Sequence, residues 1–306
     1  MTASNPSFLS PSDGIAFVDD AFVPVSEARI PILDRGFVRS DATYDVVHVW
    51  KGGFFRLDDH IDRFYRSMAG LRMSLPYSRE QLIEILHGCV RRSGLRDAYV
   101  QMTCTRGVPA KGSRDPRECK NRLYVFATPF VWIANEGQRR DGLKMIVPSI
   151  ERIPSESLDQ RIKNFHWLDL TMAIFEAYDR GATVPALPDR HGNITEGPGF
   201  NVFVVRDGKI ATPDQGLFEG MTRRTTIELA QELQMPVDVR PVSIAELHEA
   251  DEIFVTSTAG GVMPVTQLDG KPVALGKVGP ITVRLHDLYW RRHDEGWKTT
   301  PVDYES

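Results

Sequence analysis

The chain has 306 residues, of which 42% are hydrophobic and 25% charged, and its formal net charge is −4. This length corresponds to about two domains of ordinary size. The content of 24 glycines and 20 prolines excludes a collagen-like or low-complexity chain. The slight acidic excess, with no basic cluster larger than an isolated pair, argues against a nucleic-acid-binding protein.

The three cysteines, Cys89, Cys104 and Cys119, are too few for a disulfide framework or a metal-binding knuckle. Their odd number fits a reducing compartment. The first residues lack the basic and apolar regions of a signal peptide, and no stretch is apolar enough to span a bilayer. The run Asp58-Asp59-His60 fits the acidic start of a helix better than a metal site. We therefore expect a cytoplasmic protein with no metal and no membrane partner.

Residues 1–133 predict a small α+β domain. Strand patterns occupy 15–18, 44–50, 98–106 and 122–133, and helical patterns occupy 58–73 and 79–92. The first helix presents an apolar face formed by Ile61, Phe64, Met68 and Leu71.

A polar, unpatterned stretch at 134–141 predicts an interdomain linker, and 142–306 predict a larger second domain. The expected strands lie near 143–148, 183–187, 201–206, 236–240 and 252–256. The expected helices lie at 164–180, 222–234, 243–248 and 280–293, and we expect an irregular tail from residue 296.

Familiar dinucleotide, P-loop, zinc-protease and serine-hydrolase motifs are absent from the sequence. One lysine is chemically out of place: Lys163 stands beside Ile162, Phe165 and Trp167 in the segment RIKNFHW. Apolar surroundings disfavour the charged amine and make the neutral form nucleophilic. Such an amine forms Schiff bases with carbonyl compounds, including pyridoxal phosphate (PLP). Taken alone, a lysine of this kind is more often simply a surface residue.

An acid and a glycine-rich bend follow the lysine at ITEGPGFN. PLP chemistry requires an acid against the pyridine nitrogen, and Glu196 is the candidate. Gly197 and Gly199 allow the backbone to approach a planar ligand closely.

Two later turns suit an anion. The segment EGMTRRT places Gly220 and Thr222 at the start of a predicted helix, whose first N–H groups bind anions. The segment TSTAGG offers the hydroxyls of Ser257 and Thr258. Each turn in isolation also fits an ordinary helix cap or tight turn.

In their order and spacing, these segments resemble the fold-type IV PLP enzymes from about Gly14 to Trp290. That group includes branched-chain aminotransferases, D-amino-acid transaminases, (R)-selective amine transaminases and aminodeoxychorismate lyases. The resemblance implies a two-domain α+β and α/β fold, with a small N-terminal domain and a larger PLP-binding C-terminal domain. It also implies a homodimer with the active site at the interface.

The resemblance implies a role for each matching position. Lys163 would hold the cofactor and move the substrate proton, Glu196 would pair with the ring nitrogen, and Arg63 would clamp the phosphate. The other cofactor contacts would be Phe218, Met221, Thr222, Ser257 and Thr258. Pro198 stands where the family commonly has serine or threonine. Because no catalytic group is lost, this difference bears on the fine adjustment of the cofactor's surroundings and not on the class of enzyme.

The segment RSDATYDVVHVW is most similar to (R)-selective amine transaminases, with Arg39, Tyr44 and Val46 lining one side of the substrate pocket. Trp167 and Ser257 complete the expected substrate contacts. In this fold type the lysine approaches the re face of the cofactor, which the resemblance implies would select (R)-amines or D-amino acids. Branched-chain members bind L-substrates by turning the side chain over, so the face alone leaves the chirality open.

The carboxylate-binding residues of the related enzymes are only partly matched. Lys111 and Ser113 stand where D-amino-acid transaminases carry an arginine and a histidine. Gln101 stands where branched-chain enzymes carry a cation. We expect Arg114, or Arg39 in its place, to hold the carboxylate of a keto acid such as pyruvate, because a guanidinium binds it bidentately.

The expected function is a ping-pong transfer of an amino group from an (R)-amine to a keto acid. The alternatives are a branched-chain or D-amino-acid aminotransferase, a lyase of the aminodeoxychorismate type, and a PLP-binding protein without turnover. Val46 counts against the lyase, which usually has a hydroxyl there.

Overall fold

The structure, a computed structural model, describes residues 14–305 and divides into two compact units. The first unit extends to Val131 and also contains Lys163–Phe165 and the C-terminal segment from Lys298. The second unit consists of Trp132–Ile162 and His166–Trp297. Over the described residues, no helix is long and apolar enough to cross a membrane.

The first unit is built on an antiparallel seven-stranded sheet. Six of its strands are β1 (Ile15–Val18), β2 (Ala21–Pro24), β3 (Ala42–Trp50), β4 (Gly53–Phe55), β5 (Ala98–Thr105) and β6 (Arg122–Pro129). The seventh is Thr299–Pro301, at the edge beside β4, and the order then continues β3-β5-β6-β1-β2.

The C-terminal edge strand corrects the prediction of an irregular tail. Thr299 pairs with Phe55, and Pro301 pairs with Gly53. A Cβ atom at Gly53 would lie 2.1 Å from the Thr299 side chain, so only glycine leaves room for this strand. The tail carries no strand pattern of its own because this contact joins residues far apart in sequence.

Three helices accompany this sheet: α1 (Arg35–Arg39), α2 (Leu57–Gly70) and α3 (Arg79–Ser93). Ile61, Phe64 and Met68 of α2 are buried in the core, as the apolar pattern predicts. A capping box formed by Ser78 and Gln81 begins α3. Short 3₁₀ helices lie at Val25–Glu27 and Pro116–Glu118.

The second unit is built on a nine-stranded mixed sheet with five helices. In chain order its elements are α4 (Glu136–Asp141), β7 (Leu143–Ile146), α5 (Leu168–Asp179), β8 (Val184–Pro185), β9 (Glu196–Gly197), β10 (Phe200–Arg206), β11 (Lys209–Thr212), α6 (Met221–Glu232), β12 (Val237–Val239), α7 (Ile244–His248), β13 (Glu252–Ser257), β14 (Gly261–Leu268), β15 (Lys271–Pro272) and α8 (Pro280–Asp294). The main strand order is β12-β11-β10-β13-β14-β7-β8, with β9 on β10 and β15 on β14. Pairing is parallel between β11 and β12 and at both edges of β7.

The helix after the candidate lysine begins at Leu168, four residues later than the prediction. Asn164 instead forms an antiparallel bridge with Thr43. This bridge pairs the backbone of Asn164 with β3 instead of with a helical turn, and the helix begins four residues later.

The predicted domain boundaries at 1–133, 134–141 and 142–306 stay a prediction, and residues 1–13 lie outside the described part of the chain. Within the predicted linker, Asn135 and Gln138 form a capping box that begins α4.

Candidate active site

Lys163 is fixed by its backbone to the first unit. Its carbonyl oxygen accepts hydrogen bonds from Thr43 Oγ1 at 2.7 Å and from the Tyr44 N–H at 3.1 Å. Its own N–H donates to Ser67 Oγ at 3.3 Å. The half-buried side chain places Nζ 4.5 Å from the centroid of the Tyr44 ring, and Phe165 packs edge-on against that ring. The amine therefore lies over an aromatic face.

The sheet face beside this amine carries uncharged side chains. Since side chains alternate along a strand, Tyr44 and Val46 of β3 share one face, and both are buried. The register places Thr103 opposite Tyr44 and Gln101 opposite Val46. Gln101 donates from Nε2 to Thr103 Oγ1 at 3.1 Å. This part of the sheet offers neutral hydrogen-bonding and apolar surface.

Tyr99 extends the same face along β5. Its hydroxyl donates to Gln101 Oε1 at 3.3 Å. Burial and the charge of Asp45 raise the pKa of Tyr99 to about 12. Its phenol is therefore uncharged at neutral pH.

The opposite face of β3 holds a buried charged cluster. Asp45 accepts from Arg63 Nε and Nη2, both at 2.8 Å, and from His60 Nδ1 at 2.8 Å. Burial alone would raise the pKa of Asp45, but Arg63 and then His60 hold it well below its ordinary value. Burial lowers the pKa of His60. The cluster fixes the Arg63 guanidinium on α2.

The predicted carboxylate-binding arginines lie in the first unit and are both exposed. Arg39 ends α1 and donates from Nη1 to its neighbouring backbone carbonyl at 2.7 Å. Arg114 lies in the loop at 106–121, between β5 and β6. Both side chains have room to change rotamer.

Glu196 lies buried in β9 of the second unit and is held from two sides. Its Oε2 accepts from the Phe218 N–H at 2.9 Å, and its Oε1 accepts from Arg152 Nε at 3.1 Å. Phe218 is fixed in turn, because its carbonyl accepts from Asn201 Nδ2 at 2.7 Å. No local sequence pattern singles out Arg152 or Asn201, because their partners are distant along the chain.

Helix α6 begins with an uncapped first turn. Gly220 occupies the N-cap and makes no side-chain capping bond, and Met221 and Thr222 follow it in buried positions. A Cβ atom at Gly220 would lie 2.2 Å from Asn201 Oδ1, so glycine allows this close approach. The first N–H groups of a helix carry partial positive charge, which favours an anion here.

The turn between β13 and β14 carries the predicted hydroxyls. Ser257 is buried, and its Oγ accepts from the Ala259 N–H at 3.2 Å. Thr258 is half-buried in the same turn. Elsewhere in the second unit, Trp167 precedes α5 and lies 3.8 Å from the position that a Cβ at Gly199 would occupy.

A sequence profile of the class IV amino-transferases matches residues 42–268. The chain is 32% identical over 276 residues to a putative branched-chain-amino-acid aminotransferase of Methanocaldococcus jannaschii, covering 89% of this chain and 94% of that protein. It is also 32% identical over 285 residues to a D-alanine aminotransferase of Listeria monocytogenes, covering 89% and 93%.

A solved aminotransferase structure is also similar to this chain. The branched-chain amino acid aminotransferase of T.th., crystallised with pyridoxamine 5'-phosphate, matches with a TM-score of 0.89 and 30% identity, covering 96% of this chain and 100% of that chain. This likeness confirms the predicted fold class of mixed α and β structure. The chain belongs to the class IV aminotransferase family.

Proposed function

We propose that this chain transfers an amino group from an (R)-amine, such as (R)-1-phenylethylamine, to a keto acid such as pyruvate. Its membership of the class IV family makes it a PLP-dependent aminotransferase. The choice of an amine rests on one observation: Tyr44, Val46, Gln101 and Thr103, on the face beside the Lys163 amine, are uncharged. An uncharged wall accepts the apolar substituents of an amine, whereas a fixed cation there would select carboxylates.

The donor set suits PLP. Arg63 is a buried cation, and the uncapped first turn of α6 favours an anion, so we assign both to the phosphate. Met221 and Thr222 supply the N–H groups of that turn, and Ser257 and Thr258 supply hydroxyls. We assign Phe218 to a ring face.

Glu196 is the residue assigned to the pyridine nitrogen. When bound, PLP supplies an electron sink for the charge that develops at the substrate Cα. An ionised carboxylate against the ring nitrogen keeps that nitrogen protonated. The two hydrogen bonds that Glu196 accepts, from Phe218 and Arg152, favour its ionised form and fix its orientation.

Lys163 is the catalytic residue in this proposal. Its amine would hold the cofactor covalently, and the free amine would accept the proton from the substrate Cα. The three backbone hydrogen bonds at Lys163 fix the start of its side chain, so that only the methylene stem moves.

Binding of the keto acid requires a cation that enters the substrate pocket to contact the carboxylate. The same cation must leave the pocket when the apolar substituent of the amine binds there. Arg114, on an exposed loop, meets that need, and Arg39 is the alternative. We assign Trp167 and Ser257 to the remaining substrate contacts. A mobile arginine reconciles an uncharged wall with the binding of pyruvate.

We also propose a homodimer. One face of α5 exposes Leu168, Met172 and Phe175, and Leu168 is 80% exposed. A second set of exposed apolar side chains in the first unit includes Ile32, at 72%, and Phe37. Exposed large apolar side chains grouped on one helix face are typical of an interface. Sedimentation velocity of the purified protein tests the state, and a monomer at micromolar concentration would contradict it.

The experiment that tests the activity is the reaction of (R)-1-phenylethylamine with pyruvate. The proposal predicts equal amounts of acetophenone and alanine, and no acetophenone from the (S)-amine. The same assay with L-leucine as donor tests the branched-chain alternative, and D-alanine as donor with 2-oxoglutarate as acceptor tests the D-amino-acid alternative, since D-alanine and pyruvate would only exchange; the similar relatives favour these two alternatives. A cytoplasmic location stays a prediction from the sequence.

A further inference from the structure

The guanidinium of Arg152 lies buried between two carboxylates of the second unit. Its Nε and Nη2 atoms each lie 3.1 Å from Glu196 Oε1. Its Nη1 atom lies 2.5 Å from Asp169 Oδ2. The three side chains are 6%, 7% and 8% exposed for Arg152, Glu196 and Asp169. One planar cation therefore binds both acids, which a point charge such as lysine does poorly.

The contact with Glu196 has a chemical consequence. Removing a carboxylate from water disfavours its charged form, and an adjacent guanidinium favours that form. Both Arg152 nitrogens bind Oε1, while the Phe218 N–H binds Oε2, so the carboxylate plane is fixed from two directions. The Arg152 charge therefore favours the ionised form of Glu196, and Arg152 and Phe218 together fix the direction of its carboxylate.

The contact with Asp169 has a structural consequence. Asp169 Oδ2 also accepts from the Ile153 N–H at 3.0 Å, and the Arg152 N–H donates to the Pro188 carbonyl at 2.9 Å. The bonds to Asp169 join the two ends of the chain segment 152–169. Lys163 lies within that closed segment.

We propose that Arg152 is a positioning residue that acts through Glu196. It keeps the Glu196 carboxylate ionised and aimed at the cofactor ring nitrogen. This inference rests on the proposed function, because it takes Glu196 to face the ring nitrogen.

The test compares Arg152→Met, Arg152→Lys and Arg161→Met in the holoenzyme. Arg161 lies on the same segment, is 72% exposed and pairs with Asp159, so it is a matched control. The readouts are the nitrogen-15 shift of labelled PLP, the affinity of the apoenzyme for PLP, and kcat against KM.

Arg152→Met is expected to move the ring-nitrogen signal toward unprotonated pyridine and to weaken PLP binding by about 10-fold, since it removes charged hydrogen bonds. It should lower kcat by about 10-fold or more with KM for the amine changed by less than about 3-fold, because the side-chain partners of Arg152 are Glu196 and Asp169, which we do not assign to substrate binding. Arg152→Lys keeps the charge, so the ring nitrogen should stay protonated while PLP affinity and kcat fall by about 3-fold or more. Arg161→Met should match the wild-type protein.

Unchanged ring-nitrogen signal and PLP affinity in folded Arg152→Met would overturn the inference, even if its thermal stability fell. Should that variant not fold, wild-type affinity and kcat in Arg152→Lys would overturn it as well. A failure of the proposed function looks different: the wild-type holoenzyme itself would then lack a protonated ring-nitrogen signal or transaminase activity.

Discussion

The Lys163 amine lies 4.5 Å from the centroid of the Tyr44 ring, and the Tyr44 N–H donates to the Lys163 carbonyl at 3.1 Å. One residue of β3 therefore contacts this lysine through both its backbone and its side chain. The distance is within the range of cation–π attraction for the protonated amine. Strand β3 thus positions the residue that we assign to catalysis.

Replacing Lys163 with alanine should remove the visible absorbance of lysine-bound PLP and lower kcat by about 1000-fold or more, since no amine remains to hold the cofactor or move the proton. The control is Lys144→Ala, an exposed lysine of β7. Absorbance spectra and steady-state rates measure both variants. Ordinary turnover by Lys163→Ala would refute the catalytic assignment.

Tyr44→Phe keeps the ring that faces the amine, whereas Tyr44→Ala removes it. We expect Tyr44→Phe to stay within about 3-fold of wild-type kcat/KM and Tyr44→Ala to lose about 10-fold, which is about 1.4 kcal/mol. Kinetics with (R)-1-phenylethylamine measure the difference. A large loss in Tyr44→Phe would instead assign the hydroxyl, rather than the ring, to the site.

Asp45→Asn leaves the Arg63 charge buried without its ionised partner. Breaking a buried pair of this kind costs about 3 kcal/mol of unfolding free energy. Asp62→Asn on the same helix as Arg63 is the control, because its pair with Arg79 is solvent-exposed and worth less than about 1 kcal/mol. Urea unfolding of the two apoenzymes tests this, and equal stability of the variants would contradict it.

Arg114→Ala should raise KM for pyruvate by about 10-fold while leaving the rate with the (R)-amine unchanged, since the loss of a bidentate carboxylate contact affects only the acceptor. Arg117→Ala is the control: it lies on the same exposed loop and pairs with Asp115. If Arg39→Ala raises KM and Arg114→Ala does not, Arg39 is the carboxylate-binding residue.

Acid should destabilise the fold through His293. Burial lowers the pKa of His293 to about 4. The hydrogen bond between its Nδ1 and the Tyr289 carbonyl, at 2.8 Å, opposes this shift but does not cancel it. The unfolded chain binds this proton more readily, so the contribution is fully present above about pH 6.5 and is lost as the pH falls toward 4.

Protonation of His293 should lower the free energy of unfolding by about 3 kcal/mol between about pH 6.5 and 4. His293→Gln should flatten the fall in stability between about pH 6.5 and 4, and His191→Gln, at an exposed position, should not. Urea unfolding across that range measures both. An unchanged slope in His293→Gln would show that another group causes the acid sensitivity.

The elements that carry their own periodic pattern were predictable from the sequence. Helix α2 buries Ile61, Phe64 and Met68 as its spacing indicates, and α6 begins at the predicted glycine turn. The C-terminal strand and the late start of α5 were not predictable, because Gly53 and Thr43 impose them from distant parts of the chain.

The residues of the candidate site also divide into those that were predictable from the sequence and those that were not. Lys163 and Glu196 stand in segments whose composition singles them out. The sequence around Asp45 and Arg152 does not single them out, because the role of each depends on partners in other elements of the fold. One signal did exist: Asp45 is an acid on the same side of β3 as Val47 and Val49 of the core, and an acid buried there requires a cation as partner.

The half-reaction of the PLP form tests the central claim most directly. Purified enzyme is mixed separately with (R)-1-phenylethylamine, its (S)-enantiomer, L-leucine and D-alanine, and the loss of the PLP absorbance is followed. Rapid conversion by the (R)-amine, with the (S)-amine silent, is the predicted result. Conversion by L-leucine or D-alanine with both amines silent would contradict the amine assignment and the interpretation of Tyr44 and Val46.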